Sequence, residues 1–280
     1  MLMLIFLNNM IKLSYIVPHS PILIPNIGKN NTNIFSKTIE SLKNIKQEII
    51  DNDIDTIVII SPHKKNNETI SINNHFSFNI NFEEFGDYSD KMEVAGDLKL
   101  SYIIKEELWP DFDIDLQAEA KPDYGINIPL FILLSEENQR IKNFKGKIVI
   151  INTSTRFDLQ HHFEIGKKIA SILQNSSHKI AVISSAELSH CLSHNAPGGF
   201  FQKAIMFDEK TIENLKKGKE GTEEILKIDP KLALGAKECG LRPISLLLGI
   251  IDNFPNYIGE NMSYQKDLGV GCLTMKMKLD

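Results

Sequence analysis

Short apolar runs and amphipathic stretches alternate along this chain. Runs rich in Ile and Val predict buried strands at Lys12–Val17, Thr56–Ile60, Lys147–Ile151, Lys179–Ser184 and Val270–Met277. Apolar side chains near helical spacing predict helices at Asn33–Asp51, Asp97–Leu108, Leu159–Gln174, Pro230–Lys237 and Pro243–Ile251. Thr69–Ile80 alternates and predicts an edge strand or a hairpin. With no internal repeat and no linker rich in Pro, Gly or Ser, this order predicts a single α/β domain.

The bulk properties narrow the class of protein. The chain has 280 residues, 42% hydrophobic and 24% charged, and a net charge of -5, with no basic stripe that would favour nucleic acid as a partner. The three cysteines form no CxxC motif, which favours the reducing cytoplasm. The apolar start, Met1–Leu7, is too short to span a membrane and has no signal-peptide pattern. We therefore expect residues 1–9 to be a disordered tail or a start-site artefact, and 10–280 to be one folded domain.

Three histidines closely follow predicted strands, namely His19, His63 and His190. Ligands of open α/β sheets collect beyond the carboxyl ends of the strands, so these side chains are candidates for a common site. Two histidines and a carboxylate leave coordination positions open and favour non-haem Fe(II). A further histidine can act as acid and base near neutral pH.

Each candidate also has a structural interpretation. His19 and His63 lie beside prolines and could be loop residues with satisfied hydrogen bonds, and His190 could cap a helix. Glu238 could be a carboxylate at a helix end that Gly240 terminates. Cys239, beside Glu238, could be a redox thiol, but its interpretation as a buried small apolar residue is favoured. Spacing alone therefore gives only a weak prediction of a metal site.

Several motifs, taken in order, change this picture. The chain contains a Pro-His-Ser-Pro opening at 18–21 that runs on to Pro25 and Gly28, Ser-Pro-His at 61–63, Glu-Leu-Ser-His at 187–190, Phe-Asp at 207–208, Glu-Cys-Gly-Leu-Arg at 238–242, and closing Ser-Tyr and Gly-Val-Gly motifs. This series resembles the class III extradiol dioxygenase (LigB-like) superfamily. It is most similar to the dioxygenase-like module of the AmmeMemoRadiSam system, which shares its fold with Memo proteins.

The resemblance implies a central mixed β-sheet flanked by helices and an extradiol dioxygenase-like catalytic domain over 10–280. It implies that His19, His63 and Glu238 bind Fe(II), with Zn or Mn as other metals. His190 would be the acid–base residue in the cleavage of a catechol-like aromatic diol by O2. It further implies AMMECR1-domain and radical-SAM proteins as partners, and a homo-oligomer in the cytoplasm with no membrane partner.

Two departures from the family's motifs leave other functions open. Tyr124 is a candidate catalytic residue beside His190, but it stands where the family has a histidine that contacts substrate and dioxygen, and a tyrosine can donate a hydrogen bond but shuttles protons poorly. Glu187 follows Ala186 where the family has Gly-Asp. If that glycine had a positive φ, alanine would be strained there. The alternatives are a Memo-like metal-binding or scaffold protein without ring cleavage, and a Zn-dependent hydrolase using the same site.

Overall fold

The computed structural model describes residues 9–63, 68–135 and 144–280. The tail predicted at 1–9 therefore lies, apart from Asn9, outside the described residues. Within the described part, no helix has both the length and the apolar character needed to cross a lipid bilayer.

Eight strands form the central sheet, in the order β6-β3-β7-β2-β8-β1-β10-β9, and β4 and β5 pair separately. Their bounds are β1 Ile11–Val17, β2 Thr56–Ser61, β3 Ile70–Asn73, β4 Ser77–Phe82, β5 Asp87–Ala95, β6 Ile114–Gln117, β7 Lys147–Asn152, β8 Ile180–Ser185, β9 Tyr257–Gln265 and β10 Cys272–Leu279. The four central strands β7, β2, β8 and β1 are parallel, whereas β3–β7, β1–β10 and β10–β9 are antiparallel. The predicted α/β fold with a central mixed sheet is confirmed.

Nine α-helices connect these strands over the described residues. They are α1 Pro25–Gly28, α2 Ser36–Asp51, α3 Leu98–Leu108, α4 Tyr124–Leu134, α5 Leu159–Gln174, α6 Ala204–Lys216, α7 Thr222–Leu226, α8 Pro230–Ala236 and α9 Leu241–Ile251. Because successive strand side chains point to opposite faces, β2 divides its residues between two cores. Val58 and Ile60 join the core containing α5 and α9, and Ile57 and Ile59 join the core containing α2 and α4. A strand buried on both faces needs the continuous β-branched run that the sequence has.

Two predicted elements differ from the structure by more than one or two residues at an end. The helix predicted from Asn33 begins at Ser36, because a 3-10 helix occupies Lys29–Phe35. Thr69–Ile80 divides into β3, in the main sheet, and β4, which pairs with β5. Tyr124 is the first residue of α4, which begins directly after Asp123.

Candidate functional site

Three functional side chains lie at equivalent positions on neighbouring strands. His19, His63 and Glu187 each come two residues after the last residue of β1, β2 and β8. These strands run parallel with β8 in the middle, so their carboxyl ends meet at one edge of the sheet. The common position of the three residues is a direct result of this topology.

His19 and His63 form the centre of the site. Their Nε2 atoms are 3.1 Å apart, and the rings meet edge to face with centroids 4.9 Å apart. The Ser185 hydroxyl donates its hydrogen to the Gly125 carbonyl oxygen, so its oxygen is left to accept the hydrogen of His19 Nδ1, 2.8 Å away. The His19 proton therefore resides on Nδ1, and its Nε2 lone pair faces His63.

Both histidines are held in the neutral form. Burial lowers the pKa of His19, which is 0% exposed. Burial, followed by the repulsion that two charged rings would exert on each other, lowers the pKa of His63 to about 3. Only a neutral imidazole has a lone pair free for a metal, so the fold keeps both rings competent as ligands at neutral pH.

Tyr124 packs against His63 from the first turn of α4. Its hydroxyl oxygen is 3.0 Å from His63 Nε2, and the two rings stack with centroids 4.6 Å apart. Burial raises the pKa of the Tyr124 phenol, so this hydroxyl remains a hydrogen-bond donor at neutral pH.

Glu187 connects His190 to the histidine pair. One carboxylate oxygen, Oε2, is 3.2 Å from His190 Nε2 and 3.7 Å from His19 Nε2. Burial lowers the pKa of His190, but the hydrogen bond and negative charge of Glu187 outweigh this effect and leave the pKa raised. Burial also opposes ionisation of Glu187, yet the neighbouring histidines hold its pKa below the usual range. The pair is therefore a carboxylate with a basic histidine.

Cys239, and not Glu238, approaches the histidine pair. The Cys239 Sγ atom is 3.5 Å from His19 Nε2, and the ligand atoms of Cys239, His19 and His63 lie within 4.8 Å of one another. Cys239 also groups with Glu187 and His190 in the same way. Glu238 belongs to neither group, and its Oε2 accepts the Leu241 N–H at 2.7 Å.

The backbone before these residues explains the difference. Lys237 ends α8 in the left-handed conformation, with φ 51° and ψ 40°, and the chain turns there into α9. The carboxylate of Glu238 consequently lies at the amino end of α9, where it is stabilised by the helix dipole. The structure thus brings together His19, His63, Tyr124 and His190, and places Glu238 apart; its ligand role stays a prediction.

Sequence reasoning missed the positions of two residues in this site. The motifs mark Glu187 only as a departure from the family's pattern, although its place two residues beyond β8 matches that of His19 and His63 beyond their strands. Cys239 follows no strand and had no comparable signal. Ala186 is not among the described residues with positive φ, so the strain considered for alanine at that position is not found.

Two cavities, of about 640 and 530 Å³, lie away from His19 and His63. A third, of about 510 Å³, opens directly beside His63. The cavity beside the histidines is lined by His63 and Tyr124 and by asparagine and glutamate side chains. We name it the histidine cavity. A fourth cavity, of about 570 Å³, contains Glu238 with Arg156 and Arg242.

The donor atoms fit a single divalent metal. Two nitrogens that each bind one metal at roughly 2.1 Å are about 3.0–3.4 Å apart, and the observed 3.1 Å between the Nε2 atoms falls in that range. Two imidazoles and a thiol suit a borderline transition metal such as Zn or Fe better than Mg or Ca. The Ser185 contact, which fixes the orientation of His19, is the kind of supporting bond that metal-binding histidines have.

Comparison with known proteins points in the same direction. The family model described as the catalytic LigB subunit of aromatic ring-opening dioxygenase matches residues 13–273. Protein CA_C1420 of Clostridium acetobutylicum is 26% identical over 275 residues, which cover 94% of this chain but only 57% of that protein. The crystal structure of the uncharacterized protein JW3007 from Escherichia coli K12 aligns with a TM-score of 0.66 and 16% identity, covering 95% of this chain and 99% of that chain. The last likeness shows a shared fold.

Proposed function

Since the chain belongs to the LigB family of aromatic ring-opening dioxygenases, we propose that it is an Fe(II)-dependent extradiol-type dioxygenase that cleaves a catechol-like aromatic diol with O2. The observation that carries this proposal is the pair of neutral histidines whose Nε2 atoms lie 3.1 Å apart beside the Glu187–His190 pair. A metal position next to an acid–base histidine is what extradiol cleavage needs.

His19 and His63 would hold the metal, and the Cys239 thiol is the third donor that the described geometry favours. Once bound, Fe(II) would supply the Lewis acidity and redox capacity that bring an aromatic diol and dioxygen into reaction. Burial raises the pKa of the Cys239 thiol in the metal-free protein, so binding there would release a proton. Glu238, the ligand that the motif implies, would have to leave its bond to Leu241 to take part.

His190 would move the protons of the reaction. Its Nε2 lies 3.2 Å from Glu187, whose charge raises the basicity of the ring against the opposing effect of burial. In its neutral form, Nε2 would accept the proton of the second diol hydroxyl as the substrate binds. It would return that proton to the cleaved product, with Glu187 stabilising the imidazolium in between.

Tyr124 would orient the substrate without exchanging protons. Its hydroxyl lies 3.0 Å from His63 Nε2 and lines the histidine cavity. A phenol whose pKa is raised by burial stays protonated at neutral pH, so it can donate a hydrogen bond to a substrate oxygen. It stands where related motifs have a histidine, and this change favours an altered substrate or reduced turnover.

The proposal also covers the domain, its assembly, its location and its partner proteins. We propose that 10–280 forms one catalytic domain of a cytoplasmic homo-oligomer that works with AMMECR1-domain and radical-SAM proteins. The chain spans a little more than half of the Clostridium relative, 57% of its length.

A second candidate is a metal-binding or scaffold protein of the Memo type, without ring cleavage. The Cys239 thiol beside His19 favours it, because thiolate and imidazole ligands suit zinc at least as well as iron. A zinc-dependent hydrolase that activates water in the same site is the catalytic version of this alternative.

The deciding experiment is purification without oxygen, measurement of bound iron, manganese and zinc, and then oxygen uptake with a panel of catechols. We expect iron-loaded protein to consume oxygen with at least one diol, and the His63→Ala variant to consume none. Iron-loaded protein that consumes no oxygen with any diol would support the scaffold function. Zinc as the bound metal, with no oxygen uptake, would support the hydrolase.

A further inference from the structure

A second group of metal-binding atoms lies beside the histidine pair and shares one residue with it. Glu187, His190 and Cys239 offer an oxygen, a nitrogen and a sulfur that all lie within 4.8 Å of one another. Cys239 also belongs to the group that it forms with His19 and His63. The two groups are therefore joined through one thiol, and the proposed function places a metal only in the first.

The contact between Glu187 and His190 has the geometry of two ligands of one ion. His190 Nδ1 donates its hydrogen to the Leu188 carbonyl oxygen at 3.2 Å, so the lone pair of the neutral ring is on Nε2. That lone pair faces Glu187 Oε2, 3.2 Å away. Two acceptor atoms this close need a proton or a metal ion between them. Two atoms that each bind one metal at roughly 2.1 Å are about 3.0–3.4 Å apart, which includes the observed distance.

Supporting contacts hold both side chains in this arrangement. Cys272 Sγ lies 3.7 Å from Glu187 Oε1 and donates to it, which leaves Oε2 for a metal. The bond from His190 Nδ1 to a backbone carbonyl is of the kind that orients metal-binding histidines. Glu187 is buried, whereas 23% of the His190 side chain is accessible to solvent. An ion can therefore enter from the side of His190 and keep water as a further ligand.

We propose that Glu187, His190 and Cys239 form a second metal site, which takes Zn²⁺ or another borderline divalent ion. The Cys239 thiolate bridges this ion to the one held by His19 and His63. Carboxylate, imidazole and thiolate ligands together suit this class of ion. Ions in two-metal sites lie about 3.5–4 Å apart, a distance that one shared sulfur spans. The second ion binds more weakly than the first, because the two positive charges repel each other.

Occupation of the second site removes the acid–base residue of the proposed function, and this effect alone depends on that function. With one metal ion bound, His190 Nε2 is free to accept the proton of a diol hydroxyl. The second ion takes up the same lone pair. Excess zinc should therefore inhibit the oxygen uptake of the iron-loaded protein.

The test is calorimetric titration of the metal-free protein with Zn²⁺ in the absence of oxygen, with native mass spectrometry to count the bound ions. We expect two ions per chain, the second bound at least roughly tenfold more weakly than the first. His190→Ala should bind one ion, with the first affinity unchanged within about threefold. His194→Ala, at an exposed histidine, is the matched control and should bind two. One ion per chain in the wild type, or two in His190→Ala, would overturn the second site.

Cobalt tests the bridge in the wild type and does not depend on the variants. The first Co²⁺ should give the electron paramagnetic resonance signal of an isolated high-spin ion. The second should broaden or remove this signal, because a shared sulfur couples the two spins. Two bound ions with additive signals would exclude the bridge.

Neither titration uses a diol or oxygen, so the outcomes for the second site and for the proposed function are separate. Two coupled ions in a protein that consumes no oxygen with any diol would refute the dioxygenase proposal and support the second site. Oxygen uptake by a protein that never binds more than one ion would have the opposite meaning.

Discussion

Two loops meet at the site, and each carries one glutamate: the Glu187 loop (residues 186–190) and the Glu238 loop (residues 237–240). In the Glu187 loop the carboxylate points to His190 and His19, at 3.2 and 3.7 Å, and its pKa is held low by these histidines against the effect of burial. In the Glu238 loop the carboxylate binds the amino end of α9, and burial raises its pKa. Glu187 therefore interacts with the histidines of the site, whereas Glu238 interacts with the end of a helix.

The comparison shows that backbone direction decides which side chain reaches a site. The Glu187 loop continues from a strand, whereas the Glu238 loop begins with left-handed Lys237 and presents the thiol of Cys239 to His19. The Glu187 loop also contacts the end of α8 and the Glu238 loop that follows it. His190 N–H donates to the Ala236 carbonyl at 2.9 Å, and a Cβ atom on Gly240 would lie 2.7 Å from the Glu187 carbonyl oxygen. Four experiments test this contrast.

The largest effect should come from the histidine pair that both loops face. His63→Ala removes one of two imidazoles 3.1 Å apart, so metal affinity should fall by more than roughly a hundredfold. Metal per chain after dialysis, measured by mass spectrometry, is the readout. His194→Ala, at an exposed histidine packed on Phe200, is the control and should keep its metal. Full metal content in His63→Ala would place the metal elsewhere.

The second experiment compares neighbouring residues of the Glu238 loop. Cys239→Ser should weaken metal binding by roughly one to two orders of magnitude, and Glu238→Gln by less than about threefold, because only the thiol lies near His19. Cobalt-loaded protein provides a spectroscopic check, since a thiolate ligand gives a charge-transfer band that Cys239→Ser would abolish. The reverse ranking of the two variants would restore Glu238 as the third ligand.

The third experiment tests what holds the Glu187 loop. Asp208 accepts the Ser189 N–H and the Tyr264 hydroxyl, and burial raises its pKa to about 6. A carboxyl with a raised pKa in the folded state stabilises folding when protonated. Stability should therefore fall as the pH rises from about 4 to about 6, by roughly 3 kcal/mol, and stay low above that range.

The Asp208→Asn variant should lack this contribution to the pH dependence. Urea unfolding across the same pH range measures it, with Asp267→Asn, at an exposed carboxyl, as the control. A pH dependence that is the same in Asp208→Asn and the wild type would show that Asp208 does not carry the effect.

The smallest effect should be seen at Lys237. A lysine with φ 51° is strained, and glycine adopts this conformation freely, so Lys237→Gly should raise the free energy of unfolding by about 0.5–1 kcal/mol. The lost Lys237 bond to the Gly198 carbonyl offsets part of the gain. Lys210→Gly, in the middle of α6, should have the opposite sign and cost about 1 kcal/mol. Loss of stability in both variants would mean that Lys237 is not strained.

The sequence predicted those parts of the molecule that follow from local patterns. The β-branched runs identified β2, β7 and β8, and the place of His19 and His63 just after strands indicated a common site, because parallel strands end at one edge. The prediction named Glu238 as the ligand, but nothing in the sequence shows whether Glu238 or the adjacent Cys239 faces His19. Their directions depend on the φ angle of Lys237, and lysine rarely adopts that angle, so no residue preference signals it. The ordered motifs, more than the spacing of the residues along the chain, identified the candidate site residues.

The separation of the site residues along the chain has a consequence for folding. Cys239 lies 220 positions after His19, and Ser185 lies 166 positions after it. Strand β1, which ends just before His19, lies between β8 and β10, both of which come much later in the sequence. Contacts of such long range form slowly, since a long loop must close before they contribute stability. We therefore expect the pocket of His19, His63 and Cys239 to be among the last features to assemble during folding, and metal uptake by a refolding chain to report the completion of the whole sheet.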